Sequence, residues 1–412
     1  MHTRGFCSDG FTLIELLVVI SIIAILSLVT IFTLNPAELL RQSRDSDRVS
    51  DMATLNSAVS IFQADQSSAS LGSGSTVYVS VPDSSATCGN LGLPSLPSGW
   101  AYHCVNSGTY RNTDSTGWLP INFSSMSSKA PFGTLPVDPI NTTSTREYYT
   151  YTVSGNYFEF TSVMESAKYK LGGANDAVST DGGTLFSLYE KGTNLSIEPL
   201  DYGDTSLVGY WNFEEGTGST TSTDRSGMGN NGSWGGTGTH YATGKAGTYS
   251  GQFDGSDDYV AISSASSLAS LSNLTACAWV LSNNPNGVGN PDGLSNVFGG
   301  SGILNYPSIY NSHLADYDGA TWEQATTFMS AGVWYHVCLS YAASNDNLKL
   351  YTNGNLEYSG FSATSPYWTG TLSTLGRYSS ALRYLNGKMD EVRIYNRVLS
   401  SAEISAIYNA TK

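Results

Sequence analysis

Glu15 is the only charged residue in the run Phe11–Leu34, FTLIELLVVISIIAILSLVTIFTL. A carboxylate inside such a run costs roughly 2.5 to 3.5 kcal/mol on membrane-insertion scales, so it needs a partner. Far from it, Asp316, Tyr317, Asp318, Trp322 and Trp368 set aromatic rings beside carboxylates in loop-like sequence. An aromatic face stacks on pyranose C–H groups while carboxylates take hydroxyls. Most of the eight Trp nevertheless read as core. Cys88 and Cys104 flank a Pro/Gly-rich segment, a spacing suited to closing a loop outside the cytoplasm. His103 beside Cys104 suggests a metal ligand, but no second pair exists, which favours the disulfide. His336 reads as a strand residue satisfied by a neighbour. Gly227–Gly232 is formally G-x-G-x-x-G, yet it is a turn cluster with no apolar-periodic helix after it. G-x-S-x-G, H-E-x-x-H and P-loop motifs are absent, and no catalytic residue is assigned.

The elements that must carry these residues follow from composition and pattern. Lys plus Arg number 19 against 34 Asp plus Glu, a net charge of −15, which leaves few bases for a nucleic-acid surface. Charged residues are only 13% and Gly is 43, a recipe for short strands joined by turns. Aromatics at 12% exclude a disordered chain. At about 1.5 Å per residue the apolar run can cross a bilayer of about 30 Å. It is too long for the apolar core of a signal peptide. Beyond Asn35-Pro36, Val49, Met52, Leu55 or Asn56, Val59 and Phe62 recur on one helical face. Arg41, Arg44, Asp45, Asp47, Arg48 and Asp51 fill the rest and read as a solvated face pairing at i, i+3 and i+4. One long helix over 11–66, kinked at Pro36, is expected. Residues 67–199 form a small head with strands near Thr76–Val79, Tyr148–Val153 and Tyr157–Phe160. Turn residues at 200–206 read as a linker. From 207 to 412, short alternating strands between Gly/Asn/Asp/Ser clusters predict an all-β sandwich, with Asn353-Gly354 as a hairpin turn.

Gly10-Phe11-Thr12-Leu13-Ile14-Glu15 resembles the processing site of type IV prepilins and pseudopilins. The resemblance implies that residues 1–10 are a leader and that a prepilin peptidase cuts between Gly10 and Phe11 and methylates Phe11. It also implies that Glu15 pairs with a neighbouring subunit's N-terminal amine during assembly. Cys7 and Asp9 stand where basic residues are more usual. Leu135-Pro136-Val137-Asp138-Pro139 looks like the LP-x-DP motif before the sheet of major pseudopilins. The calcium loop of that group has a sparse counterpart here, with only Asp176 and Asp181 between 172 and 183, and reads as a plain loop.

The second half resembles a LamG-like, concanavalin A-like jelly roll over about 207–409. The matching stretches are Tyr210–Gly216, Asp224–Gly232, Phe253–Val260 (FDGSDDYV), Trp334–Val337, Tyr351–Gly354 and Asn386–Ser400 (NGKMDEVRIYNRVLS), in the family's order. The resemblance implies a structural calcium held by Glu214 or Glu215, Asp224, Asn230 and Asp390. Turn capping by the same Asp and Asn is the competing reading. Pentraxins, which are related sandwiches, join strands that look equivalent to those of Cys277 and Cys338. That implies a second disulfide, with both thiols pointing into the sandwich; two reduced buried cysteines are the alternative. Glycosidases of this fold carry E-x-D-x-x-E, which is absent.

The expected fold is thus an α+β pilin-like domain, a long helix on a small antiparallel sheet, followed by an all-β jelly roll. The expected protein is a membrane-anchored pilin-like or pseudopilin subunit of a type IV pilus or type II secretion-like filament. It would sit in the inner membrane of a bacterial envelope as a precursor, anchored through 11–34, and display a lectin-like sandwich for adhesion or glycan binding. Its partners would be the prepilin peptidase, other pilin subunits and a surface glycan or protein, with no nucleic acid and no cofactor besides calcium. A ligand-free structural pseudopilin and a polysaccharide-acting enzyme are the alternatives.

Overall fold

The computed structural model describes residues 12–66, 70–262, 266–287, 294–301, 307–317, 321–361, 370–378 and 383–412. Gly10, Phe11, Asp318 and Trp368 lie outside them. Two helices open the chain, α1 (Leu13–Leu34) and α2 (Pro36–Asp65). A single kinked helix was the expectation; the structure breaks it at Asn35, whose φ is 38° and ψ 73°. Pro36 lacks an N–H and disfavours α geometry in the residue before it, and Asn tolerates the left-handed region. The Asn35 side chain then accepts the Glu38 N–H at 3.4 Å and starts α2. Among the described residues no helix is long and apolar enough to cross a membrane, and the described side chains of α1 end at Leu28. Those from Leu13 to Leu28 are all exposed.

Met52, Leu55, Ala58, Val59 and Phe62 of α2 are buried. They pack on a five-stranded sheet built from β1 (Thr76–Val79), β2 (Ala101–His103), β3 (Thr150–Ser154), β4 (Tyr157–Ser162) and β5 (Tyr189–Gly192), in the order β2-β1-β3-β4-β5. The β1–β2 pair is parallel, whereas an antiparallel sheet was expected. The connection between them is long enough to return the chain to the same end.

The charges of α2 are not simply a solvated face. Arg48 and Asp45 are fully buried. Arg48 donates from Nε and Nη2 to Asp138 at 2.6 and 3.0 Å. Its Nη1 lies 2.8 Å from Asp45 and 2.6 Å from Glu165. Asp138 is the acid of the LPVDP segment, so that loop is clamped to the helix by a bidentate pair. Arg44 adds a second link to Glu165.

The second half is a sandwich. In its large sheet, Asn273–Ser282 pairs with Trp334–Ala342 on one side and Asn386–Tyr395 on the other. A facing sheet contains Gly232–Gly235, Tyr259–Ile262 and Thr371–Leu375. Trp211, Phe213, Phe253, Val260, Leu339, Leu375 and Val392 fill the core between them. A smaller sheet carries Ser308–Tyr310, His313–Tyr317 and Trp322–Gln324.

The large sheet is buried on its outer face as well. Tyr210, Cys277, Cys338, Tyr351 and Tyr395 meet α3 (Ser401–Thr411) and the head residues Val79, Val163, Leu185 and Phe186 there. Cys277 and Cys338 stand opposite each other, Cα atoms 4.1 Å apart, and are disulfide-bonded, as are Cys88 and Cys104. The expectation that these thiols point into the sandwich is corrected. Alternation along the strand gives Ala276 and Ala278 to the core and Cys277 to the outer face. Leu200, Asp201 and Tyr202, in the segment read as a linker, are buried in this same layer. Tyr202 stacks on Tyr148 at 5.0 Å. Arg393 is wedged between Phe186 of the head and Tyr210 of the sandwich, 4.3 and 4.0 Å from the ring centroids.

Candidate functional site

At the N-terminus, Thr12 and Glu15 form a capping box. Thr12 Oγ1 accepts the Glu15 N–H at 3.3 Å, and the Thr12 N–H donates to Glu15 Oε2 at 2.8 Å. The carboxylate therefore sits at the very start of an exposed apolar helix, next to the chain end that processing at Gly10-Phe11 would create.

The acids and Asn at the sandwich edge cap turns: Asp224 and Asn230 share one, and Asp390 and Glu214 both accept from the 245–249 turn. Asp224 accepts N–H groups from Tyr210, Ser226 and Asn230 and the Ser226 hydroxyl, all at 2.8–2.9 Å. Glu214 accepts from the N–H groups of Thr248 and Tyr249, and Glu215 from the Thr223 N–H and the Tyr241 hydroxyl. Asp390 accepts from the backbones of Lys245, Ala246 and Glu391. Asn230 donates to the Val208 carbonyl at 2.6 Å. Burial pushes Asp224 up, and pushes Asp390 up to about 8 with the charge of Glu391 adding to it. Among the described residues these acids do not bring three carboxylates within 4.8 Å of one another. Asp254, Asp257 and Asp258 do, in a turn where Asp254 accepts the N–H groups of Ser256 and Asp257. Cys277, His336 and Cys338 also converge, but both thiols are spent in the disulfide, and burial pushes His336 down to about 3.

Of the residues read as sugar-facing, Tyr317 and Trp322 come together. They are cross-strand partners with ring centroids 5.2 Å apart. Asp316 does not join them; strand alternation turns it to the opposite, fully buried face. Tyr310, which the sequence reading missed, stacks on Trp322 at 4.5 Å and completes a half-exposed aromatic shelf. His313 pairs with Tyr310 across the strands and meets Phe328 edge-on at 5.8 Å. Phe328 is 64% exposed and borders a cleft of about 440 Å³ with Asn283, Asn284, Asn286 and Ser312. Backbone bonds tie the cleft loops together: Ser312 N–H to the Pro285 carbonyl at 2.9 Å and Met329 N–H to the Ser312 carbonyl at 2.7 Å. Amides and a hydroxyl beside an open ring suit a neutral, hydroxyl-rich ligand. No periodic signal marks these loops; only the pairing of the strands brings them together.

Residues 7–31 match the prokaryotic N-terminal methylation motif, and residues 254–405 match the concanavalin A-like lectin/glucanases superfamily. The chain therefore joins a prokaryotic N-terminal methylation segment to a concanavalin A-like domain. No curated protein matches it. Among solved structures it is similar to domain 4 of AbnA, a GH43 extracellular arabinanase from Geobacillus stearothermophilus in complex with arabinotriose. That likeness has 22% identity and a TM-score of 0.39, and covers 49% of this chain and 98% of that one. It is similar to the binding domain of Paraclostridial Mosquitocidal Protein 1 at 16% identity and TM-score 0.41, over 50% of this chain and 52% of that one. It is also similar to a Trypanosoma rangeli sialidase at 17% identity and TM-score 0.37, over 50% of this chain and 32% of that one. The chain thus spans about half of the second protein and a third of the third.

Proposed function

We propose that this protein is a pilin-like subunit that is held in the bacterial inner membrane through residues 11–34 and displays its sandwich as a glycan-binding head. The methylation motif, with Glu15 at the start of an exposed apolar helix, carries the reading. In this reading a prepilin peptidase cleaves after Gly10, and Glu15 then meets the new N-terminal amine of the adjacent subunit in a type IV pilus or type II secretion-like filament. The ligand reading is supported by the cleft beside Phe328 and the Tyr310–Tyr317–Trp322 shelf. Rings there can stack on sugar faces while Asn283, Asn286 and Ser312 exchange hydrogen bonds with hydroxyls.

The test is a glycan array probed with the full chain in detergent, with and without calcium. Binding that falls at least tenfold in Phe328→Ala or Trp322→Ala supports the reading. Binding unaffected by either change, or none at all, removes the glycan role. Release of reducing ends from a polysaccharide would move the protein to the enzymes.

A further inference from the structure

The head sheet turns Phe158 and Phe160 toward α2, and its opposite face carries two acids. Thr161 of β4 pairs with Glu190 of β5, and Glu159 stands two residues before Thr161 on the same side. That diagonal offset leaves two Glu side chains within reach of each other. Both residues are 0% exposed. Glu159 Oε2 accepts the N–H groups of Ile197 and Glu198 at 2.7 and 2.8 Å, and Glu190 Oε2 accepts the Leu185 N–H at 2.9 Å. The other oxygen of each carboxyl, Oε1, is buried and has no donor among the described residues. The two carboxyls are instead in hydrogen-bonding contact with each other. Gly183 makes room for them, since a Cβ there would fall 1.9 Å from Glu190 Oε2.

An ionised carboxylate only accepts, so a hydrogen bond between two of them requires a proton. The neighbouring groups offer no substitute. Arg225, the cation that acts on Glu159, donates to the Pro199 and Glu198 carbonyls. Lys191, next along β5, points to the opposite face by strand alternation. The Thr152 hydroxyl, opposite Glu159 in the sheet, bonds to neither acid. Two further acids face the pair: Asp181, which accepts the Glu190 N–H at 2.7 Å, and Glu198. Burial holds Glu159 above its ordinary value, burial and the charge of Glu159 do the same for Glu190, and burial pushes Asp181 up to about 7. Ionising both members would set two like charges in contact in a buried layer.

We propose that Glu159 and Glu190 share one proton and form a latch that closes the 183–198 segment over the sheet and opens as pH rises. When the proton passes to solvent the carboxylates repel, and the N–H groups of Leu185, Ile197 and Glu198 lose their hold. Phe186, Leu188 and Leu200 lie in one apolar cluster with Tyr210 and Tyr395 of the sandwich, so the latch reaches the junction of head and sandwich. The sign follows from the raised carboxyls: their contribution is present below an unfolded pKa of about 4.3 and lost as pH rises through the folded value. This goes beyond the glycan reading and does not depend on it.

The test is hydrogen exchange of the full chain in detergent, read over 183–201 at about pH 6 and about pH 9, with residues 52–62 of α2 as the internal reference. Protection of 183–201 relative to that reference should fall at least tenfold in the parent. In Glu190→Gln, whose amide donates to Glu159 without a titratable proton, it should fall far less. Infrared spectra at about pH 7 should show carboxylic-acid absorbance in the parent that Glu190→Gln loses. Glu159→Gln should behave alike and decides the matter if Glu190→Gln does not fold. The proposal is overturned if the parent's relative protection is the same at both pH values, or if a folded variant loses no carboxylic-acid absorbance. A fall in protection that the variants share would belong to Glu198 and overturns it too. So does saturable calcium binding that either variant abolishes, which would put a cation in place of the proton.

Discussion

Replacing Arg48 by Ala tests the buried charge cluster under α2. The guanidinium is fully buried and touches Asp45, Asp138 and Glu165. Its removal leaves Asp45 and Asp138 at most 2% exposed with no counter-ion in contact. Breaking a buried ion pair by deleting one partner costs about 3–5 kcal/mol. At about 2–4 °C per kcal/mol for a domain of this size class, the melting temperature should drop by roughly 6 to 20 °C. Arg41→Ala is the control. Its side chain is 51% exposed and lies 3.7 Å from Glu38, so the change should stay within about 0.5 kcal/mol. The pH dependence carries a sign. Burial alone would raise Glu165, but Arg44 and Arg48 outweigh it and hold the carboxyl below its ordinary value. A depressed carboxyl gives stability above its unfolded pKa, about 4.3, and loses it as pH falls through the folded value. The gap between parent and Arg48→Ala should therefore be widest near neutral pH and narrow below about pH 4.3. Thermal melts of the detergent-solubilised chain at several pH values read this out. A gap under about 1 kcal/mol at neutral pH, or one that stays constant into acid, refutes the reasoning.

Three further changes probe the rest. Arg393→Ala removes the wedge between Phe186 and Tyr210 and should accelerate proteolytic cutting in 200–206; unchanged cutting would mean that Arg393 does not hold head to sandwich. Glu198 is pushed up to about 8, by burial first and then by the charge of Glu159. Its contribution is present below an unfolded pKa of about 4.3 and lost as pH rises toward the folded value, so Glu198→Gln should flatten the fall in melting temperature between about pH 5 and 8; an unchanged slope would count against it. Calcium is expected to leave the melting temperature unmoved, because Asp224 and Asp390 already accept backbone N–H groups. A site loaded at 100 times its Kd would instead add about 2.7 kcal/mol, and a shift of that kind would show the capping to be displaceable.

Much of the fold was legible because it depends on local pattern. The stripe Met52, Leu55, Val59, Phe62 has helical period and is buried as read. Asn353-Gly354 turns between paired strands. The burial of Arg48 was not legible, since its partners Asp138 and Glu165 are far along the chain and a buried charge looks like a solvated one in a single helix. The two-faced burial of the large sheet escaped for a related reason. The middle of Trp334–Ala342 is buried residue after residue, so alternation gives no clue to which face a side chain takes. That is why the cysteine pair was found but its face was misjudged. At the aromatic shelf, a shift of one residue separates buried Asp316 from half-exposed Tyr317, and only strand pairing settles which is which.

The most direct test of the pilin-like reading is the N-terminus of the mature chain, determined by mass spectrometry on envelope material from cells with and without an active prepilin peptidase. With the peptidase, the chain should begin at an N-methylated Phe11 followed by Thr12-Leu13-Ile14-Glu15; without it, residues 1–10 should remain. An intact Met1 in the presence of the peptidase, or a cut beyond the apolar run, would contradict it.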